Sequence, residues 1–475
     1  MFVNACFACT GQREFYSDGT GQAVSIGFLH QYVLGNYRRL YARVLACGVN
    51  HFNQGLIVTN LLASGRDVRP EDRAEENALV TRALASLPAN RAMRVLLELR
   101  RRRVSNRRTR AIVRKYLMDA PPEVRDFRAV KYRRAFRAAA IHAHVPFEGE
   151  LAGLFLRGFC ERKFSTPLFE AFRRAHYAES AIYELPYSIA EGLAAKHGVR
   201  REVFLERIAP RLTRNERLRL QDASLEALGE SFDVDWERLP PTRLASYVLS
   251  RPLDERRRRA DELRDALDRA VARSVRRTGV RFGRVACVLD RSFSSAGSRE
   301  KRNRPLAVAL AVSRWMRAAA AEYTAFWTEP VDDEILVTPY GATNLVRPII
   351  DALRTEPELL VVVSDGYDND PPTVAGQALE LAPRLCPGCF VLHVNPVYDA
   401  DGFAPRSLSP DVPTLGIRDG EDIATLVAFA RFARGAASLA ELEAHLDARV
   451  RAFLGGPAGP EEPAPAKTAD VGEAR

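Results

Sequence analysis

The stretch "VLDRSFSSAGS", residues 288 to 298, ends an apolar run on Asp290 and then offers hydroxyls at alternate positions, Ser292 and Ser294. Such residues can simply close a turn, because Asp and Ser side chains hydrogen-bond nearby backbone. They can also present oxygen ligands to a hard cation. Thr343 in "GATNL" and Asp365 in "VVVSDG" offer further oxygens beside apolar runs. A second set of metal-capable residues is two C-x-x-C pairs, Cys6 with Cys9 in "CFACT" and Cys386 with Cys389 in "CPGCF". Two-residue spacing lets both thiolates of a pair turn toward one tetrahedral Zn²⁺, so either pair resembles one half of a zinc ribbon. Joint ligation by all four requires the N-terminus to fold back on the C-terminal part. A redox dithiol at "CPGC" and plain reduced thiols are the other readings. His142 and His144 in "AIHAHV" are the closest histidine pair, read as structural because no third ligand lies near.

A third chemistry is phosphate binding. "LRRRRVSNRRTRAIVRKY" carries Arg100, Arg101, Arg102, Arg103, Arg107, Arg108, Arg110, Arg114 and Lys115. "KYRRAFRAAA" follows with Lys131, Arg133, Arg134 and Arg137 around Tyr132 and Phe136. Arginine clusters match phosphate by bidentate hydrogen bonding, and aromatic rings can stack on unpaired bases. These aromatics fall at helical spacing, which suits a core, so the arginines carry the hypothesis. The formal charge is +10, but it is unevenly spread: residues 1–284 hold 52 Lys and Arg against 33 Asp and Glu, and residues 285–475 hold 18 against 27. The first part would attract polyanions and the second would not, unless the excess is only arginine-rich solvated helix faces.

The elements that must position these residues change character along the chain. Residues 23 to about 280 show apolar spacing of three and four, as in "SIGFLHQYVLGNYRRLYARVLACG", "RAMRVLLELRRRR" and "ERRRRADELRDALDRAVARSV". Breaks such as "SGRD", "LPAN" and "DAPP" keep the helices short, which predicts an array of packed helix pairs, a HEAT-like solenoid or ring. From Val285 the runs "VACVLD", "YTAFWT", "EILVTP", "LLVVVSD" and "CFVLHVNP" alternate with helical segments such as "PLAVALAVSRWMRAAA", "ATNLVRPIIDALR" and "DIATLVAFARFA". That alternation predicts βαβ units and a doubly wound parallel sheet, whose ligands lie beyond the carboxyl ends of the strands. The expected division is therefore a basic helical domain at 1–284, an α/β domain at 285–454, and a Pro- and Ala-rich disordered tail at 455–475.

In the α/β part, D-x-S-x-S at the first strand end, the threonine before a helix and the later strand-end aspartate resemble the metal-ion-dependent adhesion site of von Willebrand factor A domains. The resemblance implies that Ser292 and Ser294 coordinate one divalent ion directly, Thr343 directly or through water, and Asp290 and Asp365 mostly through water. An oxygen shell that keeps water suits Mg²⁺ better than Ca²⁺. Arg291 and Phe293 are bulkier than the small residues usual between such ligands, and Arg291 adds positive charge at the rim.

A helical array followed by such a domain resembles the Ro ribonucleoprotein family, the TROVE proteins. Their approach to the first strand is matched by "LPPTRLASYVLSRPLDERRRRADELRDALDRAVARSV". That resemblance implies a non-catalytic protein holding small non-coding RNA or single-stranded RNA ends. Its RNA-contacting residues do not carry over one by one, so Arg101, Arg102, Arg103, Arg107, Arg108, Arg110, Lys131, Arg133, Arg134 and Arg137 are candidates from charge alone. The rival reading is an adaptor whose metal grips a carboxylate on a protein partner, for instance alongside a AAA+ ATPase. No nucleophile elbow, Walker A loop or H-E-x-x-H occurs. With no long apolar stretch, the expected location is the cytoplasm.

Overall fold

In the computed structural model, residues 2–229, 231–424, 427 and 439–456 are described. Most of the segment "DIATLVAFARFA" and almost all of the expected tail at 455–475 lie outside them. Helices run from the N-terminus to Thr278, and a five-stranded sheet with flanking helices follows.

The strands are β1 (Phe282–Leu289), β2 (Ala320–Trp327), β3 (Leu359–Val363), β4 (Phe390–Asn395) and β5 (Thr414–Gly416), in the order β2-β1-β3-β4-β5. Every neighbouring pair is parallel. All five residues of β3 are buried, as a central strand covered on both faces requires. Every second residue of β1 and β3, Ala286, Val288, Leu360 and Val362, packs with the helices Val346–Leu353 and Val374–Leu385. The helix Arg304–Ala319, buried along most of its length, packs on β1 and β2. The run "EILVTP" forms no strand. It makes a 3₁₀ turn, Glu334–Leu336, capped by Asp333, whose carboxylate accepts from the Ile335 amide at 3.0 Å. β5 is three residues long, and "TLG" offers too short an apolar run to stand out.

The chain's change from helix to sheet falls near the expected place, but its packing does not divide there. One compact unit combines the N-terminal residues up to Asn53 with Trp236–Val450, and the other is built around Gln54–Asp235. The physical reason lies in the first unit. The helices Pro241–Ser250 and Ala260–Thr278 pack on Arg304–Ala319. The helix Phe2–Ala8 lies along β5, where Asn4 donates to the Thr414 carbonyl at 2.9 Å. A Cβ on Gly416 would come within 2.4 Å of the Asn4 carbonyl, so this close approach needs glycine.

In the second unit the helix Ala89–Arg101 buries Ala92, Met93, Val95, Leu96 and Leu99, and packs against Arg133–His142. The helix Arg107–Met118 starts at Asn106, whose side chain accepts from the Thr109 amide at 2.9 Å. It buries Ile112, Val113, Tyr116 and Leu117, which turns part of the arginine run outward. Among the described residues no helix is long and apolar enough to cross a membrane.

Candidate metal centre and basic helical surface

The first helical crossover lies on one side of β1 and β3 on the other, so the chain reverses direction across the sheet between them. That is where doubly wound sheets leave a crevice. β1 and β3 are hydrogen-bonded neighbours, and the Asp290 amide donates to the Val363 carbonyl at 3.0 Å. Strand pairing therefore brings Asp290 and Asp365 to one sheet edge.

Three loops converge there. The Ser292 amide donates to Asp290 Oδ1 at 2.8 Å, and the Ser292 and Ser294 hydroxyls lie 3.1 Å apart. The Phe293 amide donates to the Gly341 carbonyl at 3.0 Å, tying this loop to the one carrying Thr343. The Thr343 carbonyl accepts from the amides of Asn369 at 3.3 Å and Asp370 at 3.1 Å, tying that loop to the one after β3. Asp290, Ser292, Ser294, Thr343 and Asp365 are all buried.

Burial and the neighbouring Asp365 charge raise the Asp290 carboxyl above the usual carboxylate range; burial also raises Asp365. Two buried carboxylates at one edge are an electrostatic surplus that a divalent cation would relieve. The buried Ser295 hydroxyl has no hydrogen-bond partner among the described residues. An all-oxygen donor set with excess negative charge fits a hard ion of the Mg²⁺ kind. Among the described residues no three of His, Cys, Asp or Glu gather as a ligand group, so hydroxyls must complete any such set.

Arg291 does not project freely at this rim. Its guanidinium donates to the carbonyls of Thr338 at 3.1 Å and Pro330 at 2.9 Å. Sequence reasoning missed Asn395, which is fully buried and donates to the carbonyls of Asp365 at 2.9 Å and Arg406 at 3.0 Å. Its place at the end of β4 was the available signal. It also missed Tyr16, for which the sequence holds no signal.

The loop depends on Gly297, at φ 67° and ψ −154°, a region open essentially to glycine alone. A Cβ there would lie 2.4 Å from the Lys301 carbonyl. Gly297→Ala should cost roughly 1–3 kcal/mol in a urea titration, and an unchanged midpoint would contradict this geometry.

The four cysteines do not assemble, which corrects the joint zinc site. Cys9 packs with Ala5, Ala8, Ile26 and Tyr398, whereas Cys386 and Cys389 pack into the sheet core beside the helix Val374–Leu385. Cys6 is buried in the helix Phe2–Ala8, where its carbonyl accepts from the Asn53 side chain at 3.0 Å. The first pair is drawn in with the helix Phe2–Ala8 and the second lies between the helix Val374–Leu385 and β4, so each joins a different core. Burial pushes the Cys9 thiol up to about 11 and the Cys287 thiol up to about 12. A disulfide-exchange reagent at pH 7 should modify exposed Cys160 first and reach Cys6, Cys9 and Cys287 only on unfolding. Rapid reaction of Cys6 or Cys9 in the folded protein would refute this. The His142 ring bonds the Val104 carbonyl at 2.9 Å, in keeping with a structural role.

The structure sorts the arginines. Arg108 pairs with buried Glu76 at 2.7 Å. Arg110 is partly buried. Arg101 and Arg102 both pair with Glu98 at 2.6 Å, and Arg102 also donates to Asn60. Arg133 lies over the Phe172 ring and donates to the Leu154 carbonyl at 3.2 Å, and Lys131 lies over Phe127. Arg103, Arg107, Arg134 and Arg137 are exposed and make no ion pair among the described residues. Phe136 is fully buried, so it offers no stacking face.

No protein-family model and no curated protein matches the chain. Its structure is similar to the crystal structure of the Ro (Rsr) protein of Deinococcus radiodurans, with a TM-score of 0.51 and 15% identity. The match covers 85% of this chain and 93% of that one. The chain has the fold of a Ro protein. This Ro-like fold accounts for the helical region and the parallel sheet together, since the match spans most of both chains.

Proposed function

We propose that the chain is a non-catalytic RNA-binding protein of the Ro type, holding small or misfolded RNA or single-stranded ends on its basic helices, with a Mg²⁺-binding A-type domain. The observation that carries the reading is the set Arg103, Arg107, Arg134 and Arg137, exposed and without ion pairs in a Ro-like fold. Uncommitted guanidinium groups are the ones available to phosphate. The test is the ultraviolet absorbance ratio of protein isolated at low and at high salt. Nucleic acid should accompany the protein at low salt and leave at high salt, because binding by phosphate contacts releases counterions. Affinity at low salt no tighter than roughly 10⁻⁴ M would remove the reading.

In the A-type domain Asp290, Ser292, Ser294, Thr343 and Asp365 would hold the ion, which when bound offers a Lewis-acidic position to an oxygen ligand. A second reading, a protein partner that supplies that oxygen as a carboxylate, is favoured by one observation. Phe293 and Tyr340, on two of the converging loops, are 61% and 58% exposed and their rings lie 6.4 Å apart. Exposed aromatics beside a metal face suit a protein partner.

A further inference from the structure

The connection between the helices Phe2–Ala8 and Gly19–Asn36 crosses the loop that carries Ser294. Three contacts anchor it. Ser298 donates to the Arg13 carbonyl at 2.6 Å, and the Arg13 amide donates to Glu300 at 3.3 Å. Glu14 and Lys301 form an ion pair with both side chains almost wholly buried. A buried pair is a poor source of net stability but an effective register device, because shifting the strap would strand either charge.

That register decides where the next residues fall. The Tyr16 ring packs on Tyr367 with centroids 4.0 Å apart, and Arg406 lies over the same Tyr367 at 4.3 Å. Tyr367 is itself fixed by its amide, which donates to Asp365 Oδ1 at 3.1 Å. The stack therefore holds the Tyr16 ring over the loop that follows Asp365. Tyr16 and Phe15 remain 44% and 45% exposed, so the strap does not serve to fill a core. It sets a phenol against the loop after the candidate ligand Asp365, on the water side of the site.

We infer that the strap is a built-in cap on the metal face, with the Tyr16 phenol lying across the approach of an incoming anionic ligand. This rests on the metal reading given above. A ligand carboxylate has to displace the phenol, and the buried Glu14–Lys301 pair keeps the phenol returning to the same place. A slip by one residue would offer Phe15, which has no hydroxyl.

The experiment uses the full chain loaded with Mn²⁺, comparing wild type with Tyr16→Phe. The substitution keeps the ring stack on Tyr367 and removes only the hydroxyl. Water-proton relaxation by bound Mn²⁺ should rise in the variant as solvent gains access. Acetate, titrated as the probe anion, should bind roughly two- to tenfold tighter, the change expected when one competing hydrogen bond is removed. Equal relaxation and equal acetate affinity in the two proteins would overturn the cap and leave the metal site standing. Failure of the wild type to bind Mn²⁺ at all would overturn the metal reading and the cap with it.

Discussion

Replacing Arg103, Arg107, Arg134 and Arg137 together with Glu should lower single-stranded RNA affinity by on the order of 10² at 0.15 M salt and flatten the salt dependence. Each phosphate contact on a single strand contributes about 0.7 to the slope of log affinity against log salt, so losing four removes about 3. The loss should be similar for all sequences, because phosphate contacts carry no base information. Circular dichroism should be unchanged, since these side chains are exposed and make no ion pair among the described residues. Arg108→Ala supplies the contrast. It leaves the Glu76 carboxylate buried at 3% side-chain exposure without that partner, a change that costs about 3–5 kcal/mol for buried pairs. The variant should therefore melt early yet keep its RNA salt slope. If instead the quadruple variant binds RNA as tightly as wild type, the basic surface is only a solvated face and the RNA reading loses its support.

Asp290→Ala combined with Ser292→Ala should abolish calorimetric binding of Mg²⁺ and Mn²⁺ without loosening the sheet. In wild type, Mg²⁺ at a hundred times its Kd should stabilise the fold by about 2.7 kcal/mol, and the double variant should show none of this. Without metal the double variant should be no less stable than wild type at pH 8, because one of two buried carboxylates is gone. The pH dependence follows from the same charges. Burial, with the Asp365 charge second, pushes the Asp290 carboxyl up to about 7. A raised carboxyl favours the metal-free fold below the ordinary carboxylate range, and that contribution is lost as pH rises toward 7. Protons and metal compete for the same oxygens. The Mg²⁺-induced rise in Tm should thus be large at pH 8 and small at pH 5. An equal rise at both would place the ion elsewhere.

The α/β character was legible because β1, β3 and β4 are nearly continuous apolar runs, as strands buried on both faces must be. Two of those runs ended on aspartate, and this, with the alternating serines after the first, marked Asp290 and Asp365. "EILVTP" was misread because a short apolar run specifies burial rather than conformation, and the Asp333 cap turned it into a 3₁₀ turn. The zinc expectation failed for a related reason. Spacing says that two thiols can face one ion, but only packing decides whether two distant pairs meet, and here each pair follows its own apolar neighbours.

Residue type and spacing by themselves determined the change from helical array to parallel sheet, the carboxylates and hydroxyls at the strand ends, and the clustering of arginine, because local periodicity and composition act along the chain. The tertiary structure alone decided which arginines stay free. Arg107 and Arg108 are adjacent, yet one faces solvent and the other holds buried Glu76, a difference set by which helix packs behind them. It alone seated the first 53 residues with the sheet and stacked Tyr16 on Tyr367, since a contact across more than 350 positions leaves no trace in spacing. Such contacts arise only when separate apolar faces bury one another, and that burial is fixed by the whole fold.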